Sequence, residues 1–197
     1  DSIPLEETLE ALGELVKQGK VRQIGLSNET PWGTMKYLEL AETKSLPRVA
    51  SIQNAYNLVN RGFEIGLSEV AMHEQVGLLA YSPLAQGTLT GKYLGGQMPQ
   101  GSRLALFGDG PLMMRYKGDK TQQAIEMYVN LAKKYEIDPA QLAIQFCNIQ
   151  PFVTSTIIGA TTMEQLKTCI DSVDLDITKE IMNEIRGIHK EIPNPAP

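Results

Sequence analysis

Four short runs rich in β-branched and apolar residues, Val21–Leu26, Val49–Tyr56, Leu78–Tyr81 and Ser155–Ile158, are each followed by residues at helical spacing. That alternation requires a parallel sheet, because parallel neighbours need a crossover and a helix is the usual one. A helix precedes the first run. Leu5, Leu9, Leu12 and Val16 recur on one face, with Ser2 as N-cap, Pro4 in the first turn and Gly19 at the end. Thr30-Pro31 opens a second helix carrying Trp32, Met35, Leu38 and Ala41. Further helices are predicted over Glu64–Gln75, over Thr121–Tyr135 and from Asp138 to about Gln150. Thr161-Thr-Met-Glu164 reads as a capping box, and Thr178 caps a last helix with Ile181, Ile185 and Ile188. Between the third strand and the next long helix lies an irregular, glycine-rich stretch, Leu84–Lys120. Loops of that length are uncommon and usually functional.

The chain has 197 residues, enough for a single domain over 1–197 with its own core. A complete (β/α)8 barrel takes about 250 residues and eight strands. Four strands therefore leave two architectures, an open doubly wound sheet or half of a closed barrel. The apolar runs are expected to be covered on both faces, and half a barrel would carry two exposed edges. The chain starts at Asp1, directly on a helix signal and without Met, so a processed or partial product is expected.

Charge narrows the function. A net charge of −5 lacks the basic footprint of a nucleic-acid binder or a polybasic membrane patch. No apolar run approaches the roughly 20 residues that span a bilayer. Cys147 and Cys169 have neither metal-ligand nor CxxC spacing, which points to a reducing compartment. The expected location is the cytoplasm, or an organelle matrix or stroma if a transit peptide has been removed.

In parallel α/β folds, chemistry sits at the carboxyl ends of the strands. Those ends are Ser27-Asn28, Gln53-Asn54-Ala55-Tyr56, Tyr81-Ser82-Pro83-Leu84 and Gly159-Ala160-Thr161. Ser27, Asn28 and Gln53 offer hydroxyl and amide groups suited to a carboxamide, or serve as turn residues. Tyr81 either stacks on a flat heterocycle or fills the core. The Gly159–Gln165 turn either binds a phosphate at a helix N-terminus or is an ordinary capped turn. The glycine-rich stretch, with Lys92 and Arg103 as charge partners, is a second phosphate candidate or a surface loop. No P-loop or GxGxxG fingerprint is present, and no acid–base constellation stands out.

Five segments together resemble the C-terminal half of an aldo-keto reductase. They are Gly25-Leu-Ser-Asn28, Ile52-Gln53-Asn54, Leu79-Ala-Tyr-Ser-Pro-Leu84, Gly87-Thr-Leu-Thr-Gly-Lys-Tyr93 and Ile158-Gly-Ala-Thr-Thr-Met-Glu-Gln-Leu166. The branch most resembled is the Tas-like one, related to the potassium-channel β subunits. The resemblance implies the C-terminal half of a (β/α)8 barrel, four βα units plus an extra C-terminal helix, with the first four units upstream. It implies NADP(H) at the carboxyl face and a small-molecule carbonyl as substrate, an aldehyde or ketone reduced to an alcohol. By resemblance, Ser27, Asn28 and Gln53 hold the nicotinamide carboxamide and Tyr81 stacks on its ring. Ser82, Leu84, Gly87, Leu89, Lys92 and Arg103 line the pyrophosphate, and Gly159, Thr161 and Gln165 meet the 2′-phosphate end. The family pattern then has Glu-Asn against the adenine, where this chain has Thr168 and Cys169. The family's proton-donating Tyr, with its Lys, Asp and His, would lie before Asp1, so no catalytic residue is assigned here. Two functions follow: an NADP(H)-dependent oxidoreductase when complete, or a non-catalytic structural or regulatory subunit derived from one. A homo-oligomer or a partner subunit is expected to cover the open half-barrel.

Overall fold

The computed structural model describes residues 3–108 and 110–197. The predicted Ser2 cap lies outside the described residues. The chain forms two compact units. The first comprises Asp1–Asn54, Phe63–Leu79 and Pro151–Ser155, and the second Ala55–Gly62, Ala80–Gln150 and Thr156–Pro197.

The first unit holds α1 (Leu5–Lys17), β1 (Ile24–Ser27), α2 (Pro31–Thr43), most of β2 (Val49–Ala55) and α3 (Leu67–His73). It also holds the starts of β3 (Gly77–Tyr81) and β4 (Val153–Thr156). The four strands form one sheet in the order β1-β2-β3-β4. β1 and β2 are parallel, with Leu26 opposite Ile52, Ser27 opposite Gln53 and an irregularity between Ile24 and Gly25. Leu78 N–H donates to Phe152 O at 2.9 Å, which sets β3 against β4. Helices separate successive parallel strands, as in half of a (β/α)8 barrel.

The local causes are legible. Thr30 Oγ1 accepts from the Gly33 amide at 3.0 Å and Pro31 occupies the first turn of α2. Tyr37, Leu38 and Ala41 are its buried face. Gly19 leaves α1 with φ +68°, a backbone that glycine adopts without a steric cost. Leu9, Val49, Ile52, Val76 and Leu78 form the core of this unit, joined by the Phe63 and Phe152 rings at 5.5 Å.

Four expectations change. The first strand was expected from Val21, but it begins at Ile24. The Lys20 and Val21 amides donate back to Leu15 O, completing the exit from α1 instead of joining the ladder. The last strand runs from Val153 to Thr156, not Ser155 to Ile158: Phe152 O already accepts from Leu78 N–H ahead of it, and past its end Ile157 N–H still donates to Ala80 O at 2.8 Å. The strands are also not covered on both faces: Gly25, Ser27, Gln53, Thr154 and Ser155 are exposed. The predicted helix over Glu64–Gln75 splits into a 3-10 turn, Gly62–Glu64, and α3. Gly66 between them has φ +86° and lies so near Pro31 that an added Cβ would stand 3.2 Å from its Cγ.

The second unit packs α6 (Asp119–Lys134), α7 (Pro139–Asn148), α8 (Met163–Asp171) and α9 (Lys179–Glu191). Asp138 caps α7 by accepting from the Ala140 amide at 2.7 Å. Ile125, Tyr128, Leu142, Ile144, Phe146 and Ile185 are buried at its centre. The stretch read as irregular contains 3-10 turns at Ala85–Thr90 and Leu94–Gly96 and short helices α4 (Arg103–Phe107) and α5 (Pro111–Met114). The extended tail is tied down: Thr121 Oγ1 donates to Pro195 O at 2.8 Å and Ala196 N–H to Val59 O at 3.0 Å. Among the described residues no helix is long and apolar enough to cross a membrane. Nor is there among them a group of three or more His, Cys, Asp and Glu residues able to hold a metal.

Candidate functional site

In the first unit, pairing of β1 with β2 brings Ser27 beside Gln53, and both are exposed at the strand ends. Asn28 follows with φ +53°, a conformation Asn tolerates better than most residues. Its amide donates to Gln53 O at 3.0 Å, and its Nδ2 to Ser27 Oγ at 3.3 Å. The structure thus gathers the three residues expected to face a carboxamide. Asn54 joins them unforeseen. Its Nδ2 donates to Glu29 O at 3.3 Å, while its Oδ1 is buried without a hydrogen-bond partner among the described residues. The Gln53-Asn54 pair was visible in the sequence, but which amide is left unmatched depends on the fold.

In the second unit, Tyr81 ends β3 half-buried. The chain then turns through three left-handed non-glycine residues, Ser82 at φ +54°, Ala85 at +48° and Gln86 at +59°. Ala85 N–H donates to Ser82 O at 2.9 Å, and Gly87 N–H to Leu84 O at 2.8 Å. Gln86 links the ends of the loop: its Nε2 donates to Ser82 Oγ at 3.1 Å and its Oε1 accepts from the Arg103 guanidinium. A Cβ added at Gly87, where φ is +90°, would stand 3.0 Å from both Cε and Nζ of Lys92. Lys92 Nζ lies over the Tyr93 ring, 5.2 Å from its centroid. Ser82, Leu84, Gly87, Lys92 and Arg103 are therefore gathered by one loop. Leu89 belongs to it too, but is 1% exposed, so it packs beneath the loop instead of facing a ligand. Gln86 was not singled out from the sequence. Its left-handed backbone carries no residue signature, since glycine, not glutamine, is the usual occupant.

Gly159, Thr161 and Gln165 form a third cluster, at the start of α8, and all three are exposed. The cap sits one residue later than the predicted box. Thr162 Oγ1 accepts from the Gln165 amide at 3.2 Å, and Gln165 Oε1 accepts from Thr161 N–H and Oγ1 at 3.0 and 3.1 Å. The reciprocal logic of a capping box survives with Gln in place of Glu164. Farther along α8, the Thr168 carbonyl accepts from Gln141 Nε2 at 3.4 Å and Cys169 is 5% exposed. Phe107, at the end of α4, is 66% exposed.

Buried titratable groups lie beside these clusters. Tyr116 is 2% exposed, and burial raises its pKa while hydrogen bonds with the Asn57 and Arg115 side chains oppose the rise. Cys147 is fully enclosed in α7, and desolvation alone pushes its thiol up. It donates to Ala143 O and Tyr56 O at 3.4 and 3.5 Å, a packing role rather than a nucleophile's.

The sequence pattern of the aldo/keto reductase family matches residues 1–190. The chain belongs to the aldo/keto reductase family. It is similar to protein Tas of Escherichia coli (strain K12), 50% identical over 196 residues that cover 100% of this chain and 56% of Tas. An aldo-keto reductase of Babesia bovis is 41% identical over 196 residues, 96% of this chain and 68% of that protein. A probable voltage-gated potassium channel subunit beta of Oryza sativa subsp. japonica is 30% identical over 193 residues, 96% of this chain and 59% of that protein. The chain thus spans little more than half the length of Tas. Its polar clusters stand at strand ends and in the turns after them, which is where parallel α/β folds leave backbone and side-chain groups available.

Proposed function

We propose that this chain carries the NADP(H)-binding end of an oxidoreductase that, when complete, reduces aldehydes or ketones to alcohols. The loop from Ser82 to Arg103 carries this reading. It brings the Lys92 side chain against Gly87, where an added Cβ would crowd it, and holds the Arg103 guanidinium on Gln86, so one loop carries two cations able to pair with a pyrophosphate. Gln86 holds Arg103 to the Ser82 end of the loop, so the guanidinium is placed before any anion arrives. Ser27, Asn28 and Gln53 offer donors and acceptors for a carboxamide. Tyr81 presents a ring face for the nicotinamide. Gly159, Thr161 and Gln165 form an open turn for the 2′-phosphate end. The bound cofactor supplies the hydride that reaches the carbonyl carbon; the residues here bind and orient it.

A second reading, a non-catalytic regulatory or structural subunit, is favoured by one observation. The two positions that would meet the adenine are Thr168 and Cys169, and Cys169 is buried and so offers that ring no polar contact.

Fluorescence titration of the complete protein with NADPH and NADH tests the first reading. Saturable NADPH binding is expected, tighter than NADH and weakened by Lys92→Ala and by Arg103→Ala. The 197-residue chain alone is expected to give no aldehyde-dependent NADPH oxidation, because no positioned proton donor has been assigned within it. Absence of NADPH binding overturns the cofactor reading, and turnover by the chain alone places the acid within these residues.

A further inference from the structure

Asn57 is 0% exposed, and a buried amide is tolerated when its polar atoms are paired. Its Oδ1 accepts from the Val59 and Asn60 amides at 3.0 and 2.9 Å. The Asn57 and Asn60 backbones exchange N–H···O bonds of 3.0 and 3.1 Å. These bonds close a tight turn after β2 and use the side-chain oxygen, not the nitrogen. The tail holds the same turn from outside, through Ala196 N–H to Val59 O and Arg61 N–H to Asn194 Oδ1 at 2.8 Å. The Nδ2 group therefore has a task other than the turn. It donates to the Ser82 carbonyl at 2.9 Å, 25 residues along the chain.

Ser82 is where such a bond matters. Its φ of +54° is a conformation that L residues avoid and keep only when their surroundings enforce it. The Ser82 carbonyl takes two donors, Asn57 Nδ2 and the Ala85 amide, while the preceding Tyr81 carbonyl accepts from Tyr56 N–H at 3.3 Å. The peptide joining Tyr81 to Ser82 sets where the Tyr81 ring stands. Tyr116 closes the cluster by hydrogen-bonding the Asn57 side chain.

We propose that Asn57 is a positioning residue for the nicotinamide end of the site: by donating to the Ser82 carbonyl it holds Ser82 left-handed and so fixes the Tyr81 ring that precedes it. The inference rests on the cofactor reading above and extends it to a residue outside the matched motifs.

The test uses the complete protein, with NADPH and with 2′-phospho-ADP-ribose, which lacks the nicotinamide, as probes. Asn57→Ser keeps a short acceptor for the turn and loses the reach to Ser82. Asn57→Asp keeps both the reach and the acceptor but loses the donor. Both variants are expected to weaken NADPH binding about three- to tenfold, the scale of one lost neutral hydrogen bond, and to leave the fragment's affinity unchanged. In a Tyr81→Ala background the penalty of Asn57→Ser should vanish, because the residue acts through that ring. Unchanged NADPH affinity in Asn57→Asp, equal losses for both probes, or full additivity with Tyr81→Ala would each overturn the proposal. An unsubstituted protein that binds neither probe overturns the cofactor reading itself, before any variant is compared.

Discussion

Single residues in this chain owe their roles to backbone conformations that their side chains do not announce. Tyr81, Ser82 and Gln86 lie within six residues, yet two of the three are left-handed, and a hydrogen bond from Gln86 Nε2 to Ser82 Oγ links them. The ring of Tyr81 is the part expected to meet a cofactor. Tyr81→Ala in the complete protein should weaken NADP(H) binding by about 0.5–1.5 kcal/mol, the scale of aromatic pairing. Tyr81→Phe should change it little, because the ring face does the stacking. Fluorescence titration reads both. Equal losses would assign the effect to the hydroxyl, and no loss in either would return Tyr81 to a packing role.

At the scale of elements, α7 shows how burial sets chemistry. Asp138 caps it, Pro139 starts it, and every residue from Leu142 to Cys147 is buried. Enclosure without a charged partner raises the Cys147 thiol, and burial also raises Cys169 and Tyr116. A raised folded pKa means that the folded chain holds protons which the unfolded chain releases. The associated stability is fully present below the ordinary thiol value of about 8.5, and declines as pH rises above it through the folded value. Urea midpoints should therefore be level from about pH 7 to pH 8 and fall from about pH 9 upward. The fall should be shallower in Cys147→Ala. A midpoint that rises with alkaline pH would contradict the burial of these groups.

For the whole molecule, the sheet order leaves β1 and β4 as edges. Edge strands present unpaired N–H and C=O groups, and neither β1 (Ile-Gly-Leu-Ser) nor β4 (Val-Thr-Ser-Thr) contains the Lys or Pro that blunts such edges. Met163, Ile170 and Val173, on and just after α8, are 78%, 55% and 62% exposed. We expect the 197-residue chain to self-associate, or to be stable only against a partner subunit. Light scattering on the purified chain checks this. A monodisperse 21.7 kDa species with a cooperative thermal transition would refute it.

The alternation of apolar runs with helical spacing determined the parallel α/β class, because periodicity and crossover length are properties of the chain itself. The caps at Thr30, Asp138 and Thr178 were legible for the same reason: a capping bond spans only two or three residues. The strand reading likewise placed Ser27-Asn28, Gln53 and Tyr81 at or beside the carboxyl ends of strands. Strand limits were not legible at Val21, where helix exit competes for the same amides, nor at Val153, whose pairing is set by Leu78 far away in sequence. The left-handed run through Ser82 and Gln86, the bridge from Gln86 to Arg103 and the reach of Asn57 to Ser82 were decided only by tertiary structure. Each depends on hydrogen bonds between residues whose proximity no local spacing encodes, and those bonds hold conformations that local propensity opposes.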